Sequence, residues 1–176
     1  MRARIHVRHL LFGLLAVLIA AAAPLLLSAA ETGFAVVLDA SQSQPRHVEE
    51  TTMASVQRDY GHAWHSMAAA MEENKVALLG SDFVGLAKEQ LSQAIAEQGK
   101  SGLKRRYIDH GHQVRVVFYS PDGSAMELQD TVRLEIQLLD GDKVVHSDQG
   151  TFHFLALMTP AENSWKVRLL ESVSGF

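Results

Sequence analysis

Residues 125–139 read AMELQDTVRLEIQLL. The even positions Met126, Leu128, Val132, Leu134, Ile136 and Leu138 are apolar, and Glu127, Gln129, Thr131, Arg133, Glu135 and Gln137 between them are polar. Alternation of period two over this length predicts a long strand with one dry face. Asp130 breaks the pattern, because the same alternation puts its carboxyl group on the dry side. There it needs a partner or a purpose.

The connections around this strand are built to reverse the chain. Ser120-Pro-Asp-Gly123 has proline and glycine where a tight turn needs them, Asp140-Gly-Asp142 is a hairpin signal, and 159–164 makes a longer third connection. Connections this short join antiparallel neighbours. We therefore expect strands over 104–119, 125–139, 143–158 and 165–173, a curved four-stranded meander in which Gly111 and Gly150 sit where bulges would bend it.

Upstream the period changes to that of helices. Pro45 suits a first helical turn, and Met53, Val56, Tyr60, Ala63, Trp64, Met67 and Met71 form an apolar stripe that stops at Asn74, so a helix is expected over 46–74. A one-turn helix over 76–79 should end at Gly80. Ser81 or Asp82 would then cap a further helix carrying Phe83, Leu86, Ala87, Leu91, Ala94 and Ile95 and closed by Gly99 and Gly102. The class is α+β, with N-terminal helices packed on the meander.

The head of the chain has a different character. Arg2, Arg4 and Arg8 precede an uncharged apolar run over 10–27, which reads as an export signal or a membrane anchor with the following domain outside. Ser28-Ala-Ala30 would serve as a cleavage site, but the length of the run and Leu25-Leu-Leu27 directly before that site favour an uncleaved anchor. The expected organisation is a transmembrane signal-anchor at 1–30, a linker at 31–45 rich in small and polar residues, and one domain at 46–176. The location that follows is the cytoplasmic (inner) membrane, single pass with the N-terminus inside, or secreted and periplasmic if the segment is removed.

The 176 residues carry a net charge of −4, and no basic tract lies outside the first eight residues, which argues against a nucleic acid held by its phosphates. Cysteine is absent, so there is neither a disulfide framework nor a thiol nucleophile. No cofactor motif is present either, and none is expected to be needed.

The order of elements, the helix around Tyr60-Gly-His-Ala-Trp64 and the ending Ser164-Trp-Lys-Val-Arg168 together resemble the nuclear transport factor 2-like superfamily, over roughly residues 46–174. The resemblance implies a cone of bent antiparallel sheet closed by helices. It fixes no activity, because the superfamily holds isomerases, cyclases, dehydratases, binding modules and anchored envelope proteins with a single N-terminal span. This chain departs from the pattern in lacking the short strand usual between the early helices.

An uninterrupted ladder starting from an Asp140–Lys143 pair places His153 opposite Asp130, and a carboxyl group beside an imidazole is the arrangement of a base with its orienting group. The resemblance adds that isomerases and cyclases of the superfamily use an acidic residue or an Asp/His pair in the cone. The competing reading is structural: Asp130 bonded to His153, to the hydroxyl of Tyr60 or Tyr107, or to the ring nitrogen of Trp64. A bulge at Gly150 would turn His153 to the surface. Tyr60, Trp64 and Tyr107 are the candidate pocket lining.

Two histidine spacings suggest a metal, His62-Ala-Trp-His65 and Asp109-His-Gly-His112, but neither is a metal motif and no metal is expected. Lys104-Arg-Arg106 and Arg168 read as a solvated edge. Leu155, Leu157 and Leu170 fall among outward positions and predict an apolar patch, to be covered by a second copy, by another envelope protein or by the chain's own residues 34–38. The resulting expectation is a non-enzymatic, membrane-anchored accessory domain contacting another envelope protein or a second copy. The alternative is a small-molecule-binding protein or an isomerase- or cyclase-like enzyme using Asp130 and His153.

Overall fold

The computed structural model describes residues 34–176. The expected anchor at 1–30 and its cleavage site lie outside the described residues. Among the described residues no helix is long and apolar enough to cross a membrane.

The strand that decides the fold is β4, Met126–Asp140, and its alternation holds, with Met126, Leu128, Asp130, Val132 and Leu134 all buried. It pairs antiparallel with β3, Leu103–Tyr119, on one side and with β5, Lys143–Ala161, on the other. β6, Ser164–Val173, completes the meander. The turn between β3 and β4 is closed by Gly123 N–H donating to Ser120 O at 2.9 Å. There the nearby Ser120 hydroxyl and Ser124, which donates to Asp122 Oδ1 from both its N–H and its hydroxyl, hold the Asp122 carboxyl down at about 2.

The sheet has six strands, not four, and it is mixed. β1, Val36–Asp39, and β2, Gln44–Pro45, both run parallel to β3, with Val36 opposite His112 and Gln44 opposite Phe118. Part of the stretch expected to be a linker is therefore an edge of the sheet. Val36 and Leu38 face the core while Val37 points to solvent, a period of two spread over too few residues to stand out against its polar surroundings. Pro45 lies in β2 and not in a first helical turn.

Helix α1, Glu50–Glu73, buries Val56, Asp59, Tyr60, Ala63, Trp64, Met67, Ala70 and Met71 against the sheet. It stops at Asn74, which takes the left-handed conformation at φ 55°, and the Asn74 side chain donates to Leu103 O at 2.9 Å. A 3-10 turn follows at Val76–Leu79 as expected. Helix α2, Gly85–Ser101, begins later than Ser81 or Asp82 would place it, because residues 82–84 are engaged by the last strand. Val84 N–H donates to Val167 O and Val167 N–H to Asp82 O, each at 2.9 Å. Asp59 ties α1 to the same strand by accepting from Trp165 N–H at 2.7 Å.

Four one-residue shifts bend the sheet. The first lies between Asp109 and His112, at Gly111 with φ 114°, where the sequence suggests it. The second inserts Val117 between Val116 and Phe118. The third inserts Val145 opposite the Leu138–Leu139 step, and Gly150 stays in regular register opposite Leu134. The fourth inserts Arg168 opposite the Leu157–Met158 step. The architecture is α+β, a curved mixed sheet wrapped around helices, consistent with a nuclear transport factor 2-like cone. Its interior is filled with side chains, Trp64, Tyr60 and Phe83 among the largest that are fully buried.

Candidate functional site

The bulge at Gly111 determines what meets Asp130. Without it His112 would share the phase of exposed His110; with it His112 faces inward opposite Val132, one inward step along β3 from the Val114–Asp130 pair. The result is a cluster in which Asp130 Oδ2 accepts twice, from His112 Nδ1 at 2.7 Å and from the Tyr60 hydroxyl at 2.9 Å.

All three groups are sealed from solvent, and Asp130 is 0% exposed. Trp64 packs on His112 with ring centres 4.7 Å apart, and Phe154, opposite Asp130 on β5, meets Trp64 at 5.0 Å. Burial pushes the Tyr60 hydroxyl well above its ordinary value. The Asp130 carboxyl beside it acts in the same direction, and the Trp64 indole N–H acts the other way. That N–H approaches Tyr60 without meeting hydrogen-bond geometry. Among the described residues, Trp64 Nε1, His112 Nε2 and Asp130 Oδ1 have no hydrogen-bond partner. The nearest acidic atom to His112 Nε2 is Asp109 Oδ1 at 3.7 Å, itself accepting from Gly111 N–H at 2.7 Å.

The expected Asp130–His153 pair does not form. The inserted Val145 shifts the ladder by one residue, so Phe154 lies opposite Asp130 and His153 opposite Thr131 on the outer face. His153 Nδ1 is 3.1 Å from the Thr131 hydroxyl and its ring meets Phe176 edge-on at 5.5 Å. Of the candidate lining, Tyr60 and Trp64 belong to the Asp130 cluster. Tyr107 stands opposite Ile136, towards the far end of β4, where burial raises its pKa.

The apolar patch is rearranged in the same way. Leu155 and Leu157 lie on the outer face, but the inserted Arg168 reverses the phase of β6: Leu169 stands opposite Leu157, and Leu170 stands opposite buried Ala156 and packs against the core. Leu170 is therefore replaced by Leu169 in the outer set.

Two concavities lie near these elements. A groove of about 790 Å3 runs between α1 and β1, lined by Phe34, Val36, Met53, Ala54, Gly61 and His65 among others, His62 included. A polar recess of about 270 Å3 on the outer face is lined by Gln113, Arg115, Gln129, Thr131, His153 and Phe176. Asp130 lines neither. Among the described residues no group of three or more His, Cys, Asp or Glu is arranged to hold a metal, so the His62–His65 and Asp109–His112 spacings do not assemble into such a group. Arg106 is taken up by Glu72 at 2.8 Å.

The filled cone with a Tyr–Asp–His cluster at its centre defines the class of fold. Among solved structures, the intermembrane space region of the chloroplast protein ARC6 matches with a TM-score of 0.61 at 17% identity, over 73% of this chain and 98% of that one. Looser matches include Aln2 from a Streptomyces species, at TM-score 0.46 and 12% identity over 72% of this chain and 94% of that one. An NTF2-like protein from Cytophaga hutchinsonii matches at TM-score 0.41 and 18% identity, over 66% of this chain and 97% of that one. At these identities the likeness is one of fold alone. No protein-family model matches the chain, and no curated protein does.

Proposed function

We propose that the chain is a non-enzymatic accessory domain, held at the outer face of a cytoplasmic membrane by residues 1–30 and contacting another envelope protein. The observation that carries this reading is the packed cone. Trp64 and Phe83 are each 1% exposed and Trp165 is 9% exposed, so the volume that an enzyme of this shape would give to substrate is occupied by the chain's own rings. The outer leucines Leu155, Leu157 and Leu169 offer the contact surface. The similarity in fold to the intermembrane space region of the chloroplast protein ARC6 is compatible with a role outside the cytoplasm.

The test is crosslinking of the full chain in its native membrane followed by mass spectrometry. The expected result is one recurrent envelope partner, lost when Leu155 and Leu157 are both changed to serine and retained in Asp130→Asn. A chain that crosslinks to nothing, or whose crosslinks survive the double serine variant, overturns the reading.

A further inference from the structure

We infer that the free edge of β5 pairs, antiparallel and over residues 145–149, with the same edge of a second copy of this chain, so that His146 of each copy stands opposite Asp148 of the other. The inference goes beyond the accessory role, since the pairing uses none of the outer leucines.

β5 meets β6 only from His153 onward, so among the described residues 143–152 are paired with β4 on one side and with no strand on the other. β5 packs there against no element besides β4 and β6. Alternate residues of this stretch therefore turn N–H and C=O groups away from the sheet, which is the chemistry that receives one more strand. Other edges are held. β3 takes β1 and β2 along its outer side and the Asn74 side chain at Leu103 O, and β6 is engaged at Val167 by residues 82–84. Residues 143–149 are all exposed, and no proline within 143–152 blocks pairing.

Charge complementarity selects the occupant. His146 and Asp148 stand opposite Leu138 and Ile136, so β4 offers a partner to neither, and a second copy supplies both at once. Two identical strands running antiparallel set residues of the same phase opposite each other, so the two-fold axis passes through a residue position. Centred on Ser147, the ladder places each His146 opposite Asp148 of the second copy and Val145 opposite Gln149, with imidazole and carboxylate alternating around the axis. Centred on His146 or on Asp148, it sets a like side chain against itself; centred on Gln149, it sets Asp148 opposite Gly150. The inserted Val145 ends regular pairing at both ends of the ladder. A ladder this short covers less area than a stable dimer needs, so the association is weak and is best read by covalent trapping.

The sequence contains no cysteine, so Ser147→Cys in the full chain introduces a single thiol. On the axis the two copies of this residue would lie about 4.5–5.5 Å apart at Cα, within reach of a disulfide. Cells producing the variant are treated with copper phenanthroline, and the products are separated without reductant. The expected result is a disulfide-linked dimer, with at least about tenfold less from Gln149→Cys, whose two copies would stand four residues, or about 13 Å, apart. In the Ser147→Cys background, Asp148→Lys should slow trapping about tenfold, because both opposite-charge pairs are lost, and His146→Glu added to Asp148→Lys should restore it. A chain that stays monomeric, equal trapping at Gln149→Cys, indifference to Asp148→Lys or no restoration in the double variant each overturns the inference. An adduct with a different protein in place of the dimer also overturns it and gives the edge to a foreign strand. Leu155 and Leu157, on which the accessory reading is tested, are untouched in these variants, so the two readings fail independently.

Discussion

Asp130 keeps its place through a single oxygen that accepts from both His112 and Tyr60. Asparagine in its place either offers one oxygen with an amide hydrogen where Oδ1 stood, or flips and presents NH2 to two donors. We expect Asp130→Asn to cost about 1–3 kcal/mol, read as a lower urea midpoint, and an unchanged midpoint would mean that the cluster is not assembled as described. Tyr60 supplies a second measurement. Its folded pKa is raised above 10.0 by burial first and by Asp130 second, so above that pH the unfolded chain releases a proton that the folded chain keeps. The unfolded state then binds fewer protons, and stability falls as pH rises, by about 1.4 kcal/mol per pH unit for this group. Tyr107, raised by burial, adds a slope of the same sign. Comparing urea midpoints at about pH 9 and about pH 11, Tyr60→Phe should lose one group's share of the slope. At this scale the sequence shows that Asp130 is buried, because period two runs unbroken on both sides of it. It does not show the partner, because the residue facing Asp130 depends on bulges in two neighbouring strands. Gly111 marks one of them openly. Val145 marks the other only in the structure, since a valine at an exposed hairpin carries no conformational signature.

Between elements, the inserted Arg168 decides which leucine of β6 faces the core. Leu170 packs inward and Leu169 outward, so Leu170→Ser should destabilise by about 1–3 kcal/mol while Leu169→Ser stays within about 1 kcal/mol. Equal effects in thermal melts would return the strand to simple alternation. The contact between α1 and β1 depends on Gly61. A Cβ there would lie 3.3 Å from Phe34 O and 3.6 Å from Val36 Cγ2, so glycine is present for close approach and not for a turn. Alanine gains helix propensity and needs a shift of a few tenths of an ångström. Leucine does not fit without displacing β1. In Gly61→Leu, amide exchange should quicken at residues 36–38 and at His112 N–H, which donates to Ala35 O at 2.9 Å, while the α1–β6 link through Asp59 stays protected. Unchanged exchange at His112 would show that β1 tolerates the larger side chain in place. The stop at Asn74 and the 3-10 turn before Gly80 were legible because their signals are local. β1 was not: four residues of alternation acquire meaning only from the β3 edge they join.

At the scale of the whole domain, the described residues build one connected core running from Val36 through Val167, in a sequence without cysteine. Residues 1–30 lie outside the described residues, and their chemistry is read from the sequence. On the proposed anchored reading, Arg2, Arg4 and Arg8 before an uncharged run over 10–27 would place the N-terminus inside, and that run approaches the length a membrane span requires. The small-x-small site Ser28-Ala-Ala30 follows Leu25-Leu-Leu27 directly, so a cut there would have no polar approach. On the anchored reading, protein extracted from membranes should have the intact mass of the full sequence. Replacing Leu26 and Leu27 with serine supplies the missing approach and should turn the anchor into a removable signal, with loss of residues 1–30 and release of the domain from the membrane fraction. Loss of residues 1–30 from the unaltered chain would reverse the argument, making the leucines no barrier to cleavage and the domain a released one whose partner is reached by diffusion.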